Sequence, residues 1–273
     1  MWRSAVAAVA VVAGAACAEG DSSPEAINVA TTTSVEDSGL LDVLVPAFES
    51  ATPGWSIRYM AVGSGQALEL GRRGDVDAII AHSPTDEQAF MDDGHGTDRR
   101  PVMHNEFVIV GPPSDPAGIR GTRDAAVAFA AIAAMGQPFV SRGDDSGTHR
   151  RERSVWLAAG TDPAGDWYAE AGGGMADALG IAAEREAYTL TDIASFLYAS
   201  DRLALEILSS GDERLVNRYS VILVANALQS EGASRFADWL TGEVAQQLIA
   251  EFGIDRVGRP LFMPDAAAQP AGR

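Results

Sequence analysis

Three short stretches of this sequence carry the residue types that a small oxyanion would need. Thr31-Thr32-Thr33-Ser34 sets four hydroxyls in a row, and Gly63-Ser64-Gly65 places one hydroxyl between two glycines. Arg142-Gly143-Asp144-Asp145-Ser146-Gly147-Thr148 joins a guanidinium to two acids, two hydroxyls and two glycines. Hydroxyls donate directionally to anionic oxygens, glycine lets the backbone approach closely, and Arg brings a full charge on a rigid fork of donors. Each stretch follows an apolar, strand-like run and opens a helical pattern. It therefore falls where α/β sheets collect ligands and where free helix N–H groups suit an anion. The plainer role of every one of these residues is to cap a helix or make a turn. Three such loops in one chain, one of them holding an Arg, favour an anion site.

The elements that must position these loops alternate along the chain. Strands are expected at Ile27–Ala30, Ser56–Val62, Asp77–Ala81 and Glu106–Val110, with helices over 40–48, from Gln66 and over 84–93. Gly111-Pro112-Pro113 interrupts the pattern. It resumes with helices over 122–134, 148–159 and from Met175, strands at Pro138–Ser141, Tyr188–Thr191 and Tyr219–Val224, and two terminal helices over 233–240 and 242–252. Trp167-Tyr168 and Gly172–Gly174 read as irregular, the two aromatics and Trp156 as packing residues. Such alternation implies parallel sheets covered on both faces, and the Pro112-Pro113 break, with strong strands at Phe107–Val110 and Val221–Val224, suggests two lobes joined by two crossovers.

The chain has 273 residues and a net charge of -18, and all 20 basic residues are Arg. That charge argues against nucleic acid or an anionic membrane face as partner, and the lack of Lys excludes a Schiff-base lysine and a Walker-type phosphate loop. Residues 1–18 read as a secretory signal: Arg3 precedes an apolar run, Ala5–Ala16, too short to span a bilayer. Cys17, the only Cys, sits in a lipoprotein-like cleavage box, with cleavage after Ala18 as the alternative. Removing residues 1–16 takes away Arg3 and no acid, moving the charge from -18 to -19. With no second Cys, no disulfide framework is available.

Ile27–Leu41 (INVATTTSVEDSGLL), Ser141–Glu152 (SRGDDSGTHRRE), Ala187–Asp192 (AYTLTD) and Tyr219–Val224 (YSVILV) resemble the tungstate-binding proteins of bacterial ABC importers. The resemblance covers roughly residues 27–265. It implies an α/β, two-lobed periplasmic-binding-protein-like fold of type II, with two mixed, mostly parallel sheets flanked by helices and the cleft between lobes. The implied division is signal 1–18, linker 19–26, lobe 1 over 27–110 plus 222–265, lobe 2 over 111–221, and a tail, 266–273. Carried over by residue, Thr32, Thr33, Ser34 and Ser64 would grip the oxyanion from lobe 1. Arg142, Ser146, Gly147 and Thr148 would grip it from lobe 2, with Thr31, Asp144 and Asp145 in support. The resemblance further implies an extracytoplasmic monomer, lipid-anchored at Cys17. It would need no cofactor, bind tungsten only as tungstate, and deliver it to an ABC permease without catalysing a reaction. Arg150 and Arg151 replace Lys, and Ala81-His82-Ser83-Pro84 departs from a His-Ala-Pro-like segment.

Molybdate and phosphate are rival ligands. The Arg142–Thr148 loop also resembles that of phosphate-binding proteins, where the Asp at the position of Asp144 accepts a proton from hydrogen phosphate. Tungstate offers acceptors only, so Asp144 is expected to turn away from the anion or to pair with Arg142. The alternative of a different class is an exported serine hydrolase using Ser64 or Ser146, although Gly63-Ser64-Gly65 lacks the G-x-S-x-G elbow. His82, His95, His104 and His149 lack metal-ligand spacing and are expected as surface or loop residues. Asp92-Asp93-Gly94-His95-Gly96 lacks the spacing of a cation loop.

Overall fold

The computed structural model describes residues 24–266. The expected signal segment, Cys17 and most of the linker and tail lie outside the described residues. The chain runs β1 (Glu25–Thr32), α1 (Thr33–Asp37), α2 (Leu41–Ala51), β2 (Trp55–Val62), α3 (Ser64–Arg73), β3 (Ala78–Ala81), α4 (Pro84–Asp92) and a long β4 (Gly96–Gly111). It continues through α5 (Ala125–Ala134), β5 (Phe139–Ser141), α6 (Gly147–Ala158), β6 (Tyr168–Glu170), α7 (Met175–Glu184), β7 (Thr189–Asp192), α8 (Ile193–Ala199) and β8 (Glu206–Ser209). The return comprises β9 (Val216–Val224), α9 (Ser230–Leu240), α10 (Glu243–Glu251), α11 (Ile254–Val257) and β10 (Met263–Pro264).

Apolar runs explain the central strands. All four residues of β3 are buried, as a strand covered on both faces requires. Successive residues enter opposite cores: Ala78 and Ile80 pack with Phe48, Val221 and Phe236, whereas Ile79 packs with Leu68, Phe90 and Ile222. In β4, Phe107 and Ile109 join Phe129, Phe139 and Trp156, whereas Val108 and Val110 join Leu179 and Phe196. Helices therefore cover both faces at both ends of the sheet.

The α/β architecture with mixed sheets and flanking helices is as expected, but the pairing is mostly antiparallel rather than mostly parallel. β1 is parallel to β2 and β3, and β5 to β6, but β9 is antiparallel to β3, and β4 is antiparallel to β7, β8, β9 and β10. Alternation along a sequence registers the βαβ connections. It cannot register a sixteen-residue strand that leaves one core, enters another and collects later strands on its edges. Residues up to Glu106 pair with β9, and Phe107 onward pairs with β7, so the partner changes within one residue. β4 therefore carries a single sheet of eight strands through both halves, with β5–β6 separate.

Candidate oxyanion site

β1 and β2 run parallel and end in register, Thr32 opposite Val62. Their ends deliver the first two polar stretches to one place. The expected loop at Thr31–Ser34 is instead split: Thr31 and Thr32 finish β1, and Thr33 and Ser34 open α1. Thr32 occupies the N-cap position but makes no side-chain cap hydrogen bond, so capping does not account for its hydroxyl. Helix α3 begins at Ser64, two residues before the expected Gln66, with Gly63 at its N-cap.

The third stretch approaches from β5. Ser146 caps α6 by accepting from the His149 N–H at 3.3 Å. A Cβ on Gly63 would lie 3.6 Å from the Ser146 Cα, so the N-termini of α3 and α6 meet across the cleft. Their N–H groups and dipole ends create a positive environment without a cationic patch. Gly147 is in closer contact still, because a Cβ there would lie 2.7 Å from His82 Cε1 and 3.2 Å from Ser64 Oγ. Only glycine fits this approach.

Arg142 is 3% exposed. Its Nη2 donates to Thr33 Oγ1 at 3.4 Å and pairs with the Asp144 carboxylate, while its Nε is buried with no partner. The other Asp144 oxygen accepts the Ser146 N–H at 3.1 Å. Burial pushes the Asp144 carboxyl up, but hydrogen bonding by Ser146 and the Arg142 charge outweigh it and hold the group below the usual carboxylate range. The hydroxyls of Thr31 and Thr148 are also buried without a partner. An unpaired buried donor costs about 1–3 kcal/mol, so this set of groups is built to meet acceptors. A cavity of about 580 Å³ opens beside them, lined by Thr33, Gly63, Gly65, Arg142, Asp144 and Gly173 among others.

Of the residues expected from sequence, Thr32, Thr33, Ser34, Ser64, Arg142, Asp144, Ser146 and Gly147 are brought together here, and Thr31 and Thr148 are fully buried beside them in the chain. Asp145 turns outward to Arg150 at 2.9 Å. His82 corrects the expectation of a surface or loop histidine. It is buried, with its ring 4.9 Å from Tyr219, and burial with the Arg142 charge lowers its pKa to about 3. It is neutral at any physiological pH. Sequence reasoning also missed Asn105, Asp192, Asn217 and Tyr219, which form a buried polar layer behind the hydroxyls, and the half-buried Asp37, which feels the charge of Asp192. Asp192 and Tyr219 lay in AYTLTD and YSVILV, where they read merely as parts of strands, and Asn105 and Asn217 carried no signal.

Residues 18–244 match the family model described as PBP superfamily domain. The chain is 42% identical to the tungstate-binding protein TupA of Peptoclostridium acidaminophilum over 88% of this chain and 86% of that protein. This chain belongs to the TupA family of the PBP superfamily. Solved structures agree with that membership. The tungstate ABC transporter structure from Geobacter sulfurreducens shares 42% identity with a TM-score of 0.77, covering 84% of this chain and 99% of that one. The tungstate-binding protein TupA from Desulfovibrio alaskensis G20 shares 39% with a TM-score of 0.75, covering 90% and 100%. A TupA-family chain is a solute-binding protein rather than an enzyme, which removes the hydrolase alternative. Among the described residues of this TupA-family protein, no helix is long and apolar enough to cross a membrane.

Proposed function

We propose that this protein captures tungstate in the cleft between the two helix N-termini and delivers it to the permease of an ABC transporter. The observation that carries this reading is the buried Arg142, which lines the cleft with its Nε unpartnered, while the Thr31 and Thr148 hydroxyls on the adjoining β1 and α6 are also buried without partners. Thr32, Thr33, Ser34 and Ser64 donate from one lobe, and Arg142, Ser146, Gly147 and Thr148 from the other. Burying a dianion is costly unless each oxygen finds donors, and this set provides them. Strand pairing supports placing the crossovers near Glu106–Phe107 in β4 and at the start of β9, close to the proposed lobe 2 over 111–221.

Phosphate is disfavoured because both Asp144 oxygens are already engaged, one by Arg142 and one by Ser146, and this orients the carboxylate toward protein donors rather than toward the proton of hydrogen phosphate. Molybdate, of nearly equal shape and charge, is the remaining rival within the same site. The mature protein is an exported monomer held at the outer face of the membrane by a lipid on Cys17, consistent with an ABC transporter's need for a receptor there. Calorimetry of the mature protein against tungstate, molybdate, sulfate and phosphate tests the ligand. Tungstate should bind tightest, and tighter phosphate binding would overturn the assignment. Arg142→Ala should weaken tungstate at least about a hundredfold, since it removes charge-assisted bonds of about 1.5–3 kcal/mol each.

A further inference from the structure

We propose that Asn217 and Tyr219 are positioning residues that fix the Thr32 hydroxyl as a donor to the captured anion. This assignment rests on the tungstate site proposed above and explains how that site prefers a fully deprotonated oxyanion.

The polarity begins at a group that cannot reverse. The backbone N–H of Ser195 donates to Asp192 Oδ1 at 3.0 Å, and the Asn105 side-chain amide donates to the same oxygen at 3.3 Å. With its NH₂ committed there, Asn105 turns its carbonyl oxygen toward Asn217, the residue opposite it in the β4–β9 register. Two facing carbonyl oxygens would repel, so Asn217 must present its Nδ2, which donates to Asn105 Oδ1 at 2.9 Å. The second hydrogen of that Nδ2 goes to the Tyr219 hydroxyl at 2.8 Å. Asn217 Oδ1 keeps no partner, the cost of holding this orientation.

Tyr219 is fully buried, and burial raises the pKa of its phenol, so it keeps its proton. Having accepted from Asn217, it donates to Ser34 Oγ at 3.4 Å, because the other polar neighbour, Asn105, has its Oδ1 already engaged by Asn217. Ser34 in turn has Thr32 Oγ1 at 3.1 Å. If the hydroxyls ran the other way, the Tyr219 proton would be stranded in a buried site, at a cost like that of any unmade buried hydrogen bond. Polarity therefore passes from Asn217 to Tyr219 to Ser34. In the proposed relay Ser34 gives its own proton to Thr32, which leaves the Thr32 proton without an acceptor among the described residues. That proton is available to an anion oxygen. A ligand that offers only acceptors is satisfied at this position in every orientation, whereas hydrogen phosphate must keep its one O–H turned away from it.

The test is a double-mutant cycle on the mature protein, read by calorimetry with sodium tungstate and sodium phosphate. Tyr219→Phe keeps the ring and removes the relay, and Thr32→Val removes the terminal donor. Each should weaken tungstate about tenfold to a hundredfold. Because Tyr219 acts through Thr32, the double variant should be no weaker than Thr32→Val alone. A merely structural role for Tyr219 would give additive losses. Asn217→Asp, nearly isosteric, replaces the donor with an acceptor and reverses the relay, so it should weaken tungstate and narrow its advantage over phosphate. Additive losses, or tungstate affinity unchanged in both Tyr219→Phe and Asn217→Asp, would overturn the relay. Failure of the unmodified protein to bind tungstate would instead overturn the proposed function.

Discussion

Asp144 holds Arg142: one carboxylate oxygen pairs with the guanidinium, and the other accepts the Ser146 N–H that opens α6. One acid thus fixes both the cation of the site and the start of the helix beside it. Asp144→Asn should loosen the Arg142 fork and weaken tungstate roughly tenfold, the value of one charge-assisted hydrogen bond. Phosphate should lose no more than tungstate does, because Asp144 is engaged by Arg142 and Ser146 rather than by the ligand. Calorimetry with both anions checks this, and a selective loss of phosphate affinity would show that the carboxylate faces the ligand.

Gly147 controls closure. An added Cβ would meet the His82 ring at 2.7 Å from across the cleft, yet the position has ordinary helical backbone. Gly147→Ala should therefore leave the ligand-free protein at least as stable, since it removes unfolded-chain freedom. It should still lower tungstate affinity more than about tenfold, the effect of losing a contact worth 1–3 kcal/mol. Thermal melting with and without tungstate measures both quantities. A large loss of stability without ligand would mean that the contact is not specific to the closed cleft.

Arg150 on α6 pairs with Asp86 on α4 across the cleft and with Asp145 on its own side. Both partners are partly exposed, so the pair is worth at most about 1 kcal/mol. Arg150→Gln should raise the dissociation rate by up to about fivefold and leave association nearly unchanged. Added salt should leave association of the dianion unchanged or speed it, because it screens a net charge of -18. Stopped-flow rates decide, and association that slows steeply with salt would reveal an attractive cationic field.

The pKa of Asp37 is raised to about 6 by burial and by Asp192, Glu36 and Asp177, against the lowering effect of Arg142. A captured dianion raises it further, so binding takes up a proton. Affinity should be greatest with Asp37 protonated and fall as pH rises through about 6. Asp37 has a folded-state pKa above its unfolded value, so the stability it contributes is likewise lost as pH rises through that point. His82, neutral down to about 3, adds no step in that range. Asp37→Asn should flatten the affinity profile, whereas an unchanged profile would exclude Asp37 as its source.

The anion-facing half of the cleft was legible because its chemistry is local. Hydroxyls, glycines and Arg142 sit in short stretches after apolar strands, and the fold brings those stretches together. The layer behind them was not legible. Asn105 and Asn217 lie on strands far apart in sequence, and their pairing exists only through the β4–β9 register. His82 looked like a loop residue because nothing nearby in sequence announces that Gly147 will pack against it. β6, β8 and β10 were missed for a related reason: each is two to four residues long and depends on a neighbouring strand. The Gly96–Asn105 half of β4 was hidden by Arg99, Arg100 and Pro101, polar or strand-breaking residues that the pairing with β9 tolerates.

The most direct test of the site is the position of tungsten itself. Crystals grown with sodium tungstate should show one strong anomalous peak at the tungsten edge. It should be enclosed by Thr32, Ser64, Arg142 and Thr148, with each anion oxygen within hydrogen-bonding reach of a donor. A peak confined to the surface, or none in the cleft between the α3 and α6 N-termini, would contradict the account.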